Sequence, residues 1–169
     1  MKQESGSKNS HLDGGHVEKS HYRRLGMMTV LSFLAMYILM YAMVDVLDNV
    51  FMNFNQVYMA GLMAAPMVLI ELVLMRGMYH DKRLNAVIAS VAILAAVVFF
   101  LFIRQQTVIG DKQFLRSMIP HHASAILMCQ QASISDARIR QLCTAPEGIV
   151  SSQKREIEQM KAMLEEKGR

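Results

Sequence analysis

Apolar residues fall into three unbroken runs, after which the rhythm changes. Residues 25–44, LGMMTVLSFLAMYILMYAMV, hold no charge over 20 positions, the length at which a helix crosses the hydrocarbon core of a bilayer. Residues 56–75 repeat the pattern with one intruder, Glu71, and 84–103 form a third uncharged run rich in Ala, Val and Phe. Past residue 104, apolar positions recur every three or four residues, the period of an amphipathic helix. Asp111 stands where a cap would open a helix to about Ser133. Ser135 or Asp136 would cap a short helix over 137–143, and Thr144–Gly148 reads as a turn before a last helix over 149–167, ended by Gly168. The expected fold is all-α: three transmembrane helices within 25–103, then a small helical hairpin or bundle over 104–169. Residues 1–24, polar with Ser, Gly and Lys, read as a disordered arm.

Composition narrows the function classes. With 53% hydrophobic and 19% charged residues, the chain is too apolar for an ordinary soluble domain, and the segment after the third run is too short for a large catalytic domain. No Walker loop, GxGxxG, GxSxG or HExxH occurs, so nucleotide, hydride-transfer and metalloprotease chemistry have no support. The net charge of +4 comes from cations that flank the apolar runs, without the aromatic interleaving of a nucleic-acid binder. Lys19, Arg23 and Arg24 precede the first span, and Arg76, Lys82 and Arg83 lie between the second and third, whereas the first loop has no cation. Because cations in short loops stay in the cytoplasm, the N-terminus is expected there and residue 104 onward outside. The expected location is a bacterial inner membrane with the C-terminal domain in the periplasm.

Candidate chemistry concentrates in the last two helices. On a wheel at about 100° per residue, Met118, His121, His122, Ala125, Met128 and Cys129 share an arc of roughly 120°. On the last helix Gln153, Glu156, Met160, Met163 and Leu164 lie within about 100° of one another. Packing these stripes would bring imidazole, thioether, thiol and carboxylate together in one core. Such donors suit Cu(I), with Ag(I) as the other soft ion of the same preference. Pro120 is expected to bend the helix beside the histidines. The same residues also permit a core in which methionine fills gaps and His122 and Glu156 form a satisfied buried hydrogen bond. Cys129 and Cys143 are open to three roles: metal ligands, one extracytoplasmic disulfide, or buried thiols.

Methionine accounts for 16 of the 169 residues, and most lie in the spans. Met59, Met63, Met67, Glu71 and Met75 recur at intervals of four, placing an intramembrane carboxylate on a thioether stripe. A charge in that setting is costly and therefore a functional candidate. The stripe is either a path or holding site for a soft cation, or a helix-packing face with Glu71 bonded to Tyr37 or Tyr41. His11, His16 and His21 in the arm are more simply solvated than ligating.

The segment FLRSMIPHHASAILMC, Phe114 to Cys129, joined at a distance to SQKREIEQMKAML, Ser152 to Leu164, resembles the bacterial family known as domain of unknown function 305. The resemblance covers about residues 111–165. It implies a ferritin-like helical half-bundle, often exported or membrane-tethered and associated with copper tolerance, and its matching positions are Met118, His121, His122, Met128, Gln153, Glu156 and Met160. Ala123-Ser124 replaces the family's more usual Gln-Gly, and the turn at Thr144–Gly148 is longer than its common form. The expected function is soft-metal binding, buffering or hand-off outside the cytoplasm, without catalysis, in a homodimer that completes a four-helix bundle and serves a copper exporter or chaperone. The alternatives are a membrane-anchored interaction module whose Met and His only pack, a redox metalloenzyme, and a small transport component using Glu71 and its stripe.

Overall fold

The computed structural model describes residues 7–167, with side chains from Ser20 onward. Six α-helices and two 3₁₀ turns make up the described chain, with no strand among the described residues: α1 Ser7–Leu39, α2 Phe54–Leu74, α3 Lys82–Gln105, α4 Asp111–Gln131, α5 Ala137–Thr144 and α6 Ile149–Glu166. Three segments, Ser20–Met43, Phe54–Leu74 and Lys82–Gln105, are long and apolar enough to cross a membrane. They coincide with the three runs read from sequence to within a few residues. The polar segment read as a disordered arm is helical from Ser7, because once the apolar run supplies a helical nucleus each further residue adds a hydrogen bond, and no proline interrupts it.

The described residues divide into two units, one formed by the chain up to Met36 with Met59–Arg104, the other by Tyr37–Tyr58 with the chain from Gln105. In the first, Leu25, Val68, Leu72, Tyr79 and Ala92 form a buried cluster. Tyr22 packs its ring 5.1 Å from that of Tyr79 and donates to Asn85 Oδ1 at 2.8 Å. Phe99 lies directly on Gly61, where an added Cβ would collide with the ring.

The second unit corrects the boundary drawn from sequence, which kept the first loop with the membrane region and began the helical domain at 104. Val44 and Phe51 pack instead on the core of the C-terminal helices. Phe54 N donates to Gln113 Oε1 at 3.1 Å, and Asn55 Nδ2 donates to Ser117 Oγ at 3.1 Å. Asn53, buried, caps α2: its Oδ1 accepts from Gln56 N at 3.0 Å, satisfying one of the orphan donors of a first turn. The core is Leu115, Ile119, Ala123, Ile126, Ile157 and Met160. These positions recur at the helical period, so α4 and α6 bury one stripe each against the other.

Gly110 rather than Asp111 is the N-cap of α4, since the Asp111 carboxylate turns to Lys167 Nζ at 2.7 Å. Asp136 does cap α5, accepting from Arg138 N at 2.8 Å. Pro120 is buried inside α4, which continues through it as one helix from Asp111 to Gln131.

Candidate metal-binding flank

Two side-chain pairs set the register of the α4–α6 hairpin. Lys167 meets Asp111, and His122 Nε2 lies 2.7 Å from Glu156 Oε2. Both pairs fit a single antiparallel alignment, in which Met118 is level with Met160, Leu115 with Met163, and Ala125 with Gln153.

His122 is held at both ring nitrogens. Nδ1 lies 2.9 Å from the Met118 carbonyl, which can only accept, so Nδ1 carries a proton. Nε2 and the Glu156 carboxyl then share one further proton between them. His122 is buried while Glu156 is half exposed, so the pair spans from the hairpin core to its surface. The Nδ1–H to carbonyl bond is also the arrangement that orients a histidine to ligate through Nε2, although Glu156 occupies that nitrogen here.

The pair identifies which flank the remaining candidates share. Moving away from the core stripe of α4 on the His122 side, the wheel passes Met118, Ala125, His121 and Met128 in turn, and on α6 it passes Gln153, Glu156 and Met163. The expected single buried core is therefore not what forms. Met160 and His122 are buried, Met118 and Gln153 are half-buried, and His121, Glu156, Met128 and Met163 are exposed. The stripe read from sequence is wider than the strip two helices can bury against each other, so its outer members face out. Phe114, 51% exposed, lies on the same side of α4 as Met128 at 58%, and Met163 on α6 is 50% exposed.

Cys129 is not available as a ligand: it is bonded to Cys143 in a disulfide across 14 residues. The Cα atoms lie 5.5 Å apart, within the range the bond requires, because α5 folds back beside the C-terminal end of α4. No three His, Cys, Asp or Glu side chains converge as a metal cage among the described residues.

Electrostatics outside the membrane segments are local. The Lys167 ammonium holds the Asp111 carboxyl below the usual carboxylate range, and Arg138 does the same for Asp136. Burial, then the nearby Glu71 carboxylate, push the Tyr79 hydroxyl up. Tyr79, rather than Tyr37 or Tyr41, is the partner of Glu71, donating to Oε1 at 3.4 Å. Tyr41 donates to the Phe51 carbonyl at 2.8 Å instead, with Tyr37 beside it. Met59, Met63, Met67 and Met75 are exposed, the first three on α2 along the edge of the stripe that buries Ala60, Ala64 and Val68.

A family model described as "Domain of unknown function (DUF305)" matches residues 73–165. The chain belongs to this family. The DUF305 match begins well before the histidine motif and takes in α3, so the third apolar helix is part of the family's pattern as well as the hairpin. The mimivirus protein "Uncharacterized protein L153" (Acanthamoeba polyphaga mimivirus) is 33% identical over 144 residues, 83% of this chain and 91% of the relative. No solved structure matches.

Sequence reasoning missed the residues that tie the first loop to the hairpin, Asn55, Gln113 and Ser117, the cap at Asn53, and the clasp from Lys167 to Asp111. Asn53 carried a usable signal, because an Asn immediately before an apolar run is a helix-cap pattern.

Proposed function

We propose that this DUF305 chain is a membrane-anchored binding protein for a soft monovalent metal ion, Cu(I) with Ag(I) as its analogue, held on the exposed flank of the α4–α6 hairpin. One observation carries the reading: the exposed imidazole of His121 lies on the same face of α4 as the thioethers of Met118 and Met128, with only the small Ala125 between them. Sulfur and imidazole are the donors a polarizable d10 cation prefers over Zn(II) or Mg(II). His121 and Met118, one turn apart on α4, are its first ligands, with Met163 across the hairpin near Met118 and Met128 two turns beyond His121 as a further donor, while His122, Glu156, Gln153 and Met160 shape the hairpin that presents them. A second copy packed on Phe114, Met128 and Met163 completes a four-helix bundle and doubles the donor set. The task is buffering or hand-off to an exporter or chaperone, not catalysis.

Three features support an extracytoplasmic placement. The disulfide belongs to an oxidising compartment. The first loop and the C-terminal helices pack as one unit, as segments on the same side of a three-span protein must be free to do. The cations Arg23, Arg24, Arg76, Lys82 and Arg83 lie in the opposite connections, where the cytoplasm retains them. A bacterial inner membrane with this domain in the periplasm satisfies all three.

The test is a Cu(I) titration of the full-length protein in micelles against bicinchoninate, beside Met118→Leu/His121→Leu/Met128→Leu. The native protein is expected to take Cu(I) from the chelator, with the triple variant at least tenfold weaker and equally helical. Native protein that fails to compete, or a variant that competes as well, overturns the metal reading. A flank that only packs would then be the better account, favoured by the exposure of Phe114.

A further inference from the structure

The first unit contains a groove that the metal reading does not use. Its volume is about 460 Å³, and its floor is the small-residue face of α2, Gly61, Ala64 and Ala65, between walls from α1 and α3. The side-chain hydroxyls in its wall are those of Tyr22 and Thr29, and both have partners, Thr29 Oγ1 donating to the Leu25 carbonyl at 2.9 Å and Tyr22 to Asn85. The groove therefore offers an occupant little beyond carbon.

Its dimensions discriminate between occupants. Along α1 it runs from Tyr22 to Phe33, about 16 Å at 1.5 Å per residue. A volume of about 460 Å³ spread over that length is an elongated groove, the shape of an extended apolar chain. An acyl chain can lie along its whole length. The channel also has a charged end. Tyr22 is followed by the exposed Arg23 and Arg24, and its partner Asn85 lies one turn beyond the exposed Lys82 and Arg83. Two carboxylates stand at this end: Asp81 caps the start of α3 by accepting from Arg83 N and Leu84 N, and Glu71 accepts from Tyr79, whose ring packs on Tyr22.

We infer that this groove is a binding site for an anionic glycerophospholipid, one acyl chain lying on Gly61, Ala64 and Ala65 and the phosphate held by Arg23, Arg24, Lys82 and Arg83. Basic residues between helices at the cytoplasmic boundary attract such headgroups, each cation adding roughly fivefold at an anionic surface. The inference rests on the membrane-spanning part of the proposed function and is independent of metal binding.

The experiment is native mass spectrometry of the full-length protein released from micelles holding equal amounts of phosphatidylglycerol and phosphatidylcholine. The expected result is one retained lipid, phosphatidylglycerol favoured at least tenfold. Arg23→Gln/Arg24→Gln/Lys82→Gln/Arg83→Gln should bring the ratio near one. Ala65→Leu/Ala95→Leu, which narrows the channel, should retain neither lipid, and Ala95→Leu alone, at a half-buried position, serves where the double variant fails to fold. Equal retention of the two lipids by the native protein overturns the proposal, as does undiminished retention by the narrowed variants. A native dimer that dissociates on narrowing would place a second copy in the groove and overturn it too. A chain that stays soluble without detergent overturns both this inference and the membrane anchoring beneath it.

Discussion

Reducing the disulfide should unfasten α5 while leaving the α4–α6 hairpin standing. Eight residues make a helix too short to persist by itself, and Cys143 is the buried side chain of α5, whose Ile139 and Leu142 are 51% and 60% exposed. Packing thus contributes little, and the cap at Asp136 contributes about 1 kcal/mol. A cross-link over a separation of 14 residues restricts the open chain by about 3 kcal/mol in the loop-entropy account, which corresponds to a factor on the order of 100 in an opening equilibrium. Amide hydrogen exchange of the full-length protein in micelles, with and without reductant, reads this directly. Amides at 140–145 should lose about two orders of magnitude in protection, and those of Ile119, Ile126 and Ile157 much less. Cys129→Ser/Cys143→Ser without reductant should reproduce the pattern. A change below about threefold in α5 would refute the reasoning and assign its stability to packing.

His122→Ala and Glu156→Ala should be coupled by about 1 kcal/mol in a double-mutant cycle, less than the 1.5–3 kcal/mol of a fully buried charged hydrogen bond because Glu156 is half exposed; additive losses in denaturant unfolding would deny the contact. Asp111, with its folded value lowered by Lys167, contributes stability that is complete above its unfolded value near pH 4 and is lost as pH falls through the lowered folded value. Carboxyl-resolved NMR titration should find its midpoint below about 3.9 and return it there in Lys167→Met. Val108, a β-branched residue at φ 61° in the turn before α4, occupies a region that costs L-residues roughly 1–2 kcal/mol, so Val108→Gly should raise the thermal midpoint; a lower one would contradict the strain.

The three apolar runs were legible because span length is set by bilayer thickness and one charge in twenty residues is conspicuous. Helix ends were legible where a short polar side chain could cap, as at Asp136, and misread at Asp111, where a lysine 56 positions away competes for the carboxylate. Long-range competition of that kind leaves no local mark. The candidate site shows the same division. Wheel geometry placed Met118, His121 and Met128 on one side of α4, but burial depends on how much of that side a single partner helix can cover. That is why His122 lies inside and His121 outside, although they are adjacent. The disulfide remained one of three readings because its pairing depends on where α5 folds, and nothing in the spacing of Cys129 and Cys143 decides that.

The adjacent histidines therefore divide their labour. The Met118 carbonyl holds the His122 Nδ1–H, and Glu156 takes the other nitrogen, so a metal reaching His122 must displace a proton or a carboxylate and disturb a buried hydrogen bond. A soft ion gains nothing from the carboxylate left behind. His121 asks no such cost: it is exposed, on the face that carries two thioethers. Met118 bears on both, since its carbonyl fixes His122 while its half-buried side chain lies one turn from His121 on the same face. On the proposed reading, stability and ligation fall on neighbouring residues but on different faces of α4. The inner face orders the hairpin through His122 and Glu156, and that order holds the outer donors at fixed spacing. In the proposed dimer, the exposed Phe114, Met128 and Met163 of that outer flank are the surface on which a second copy would close around the ion.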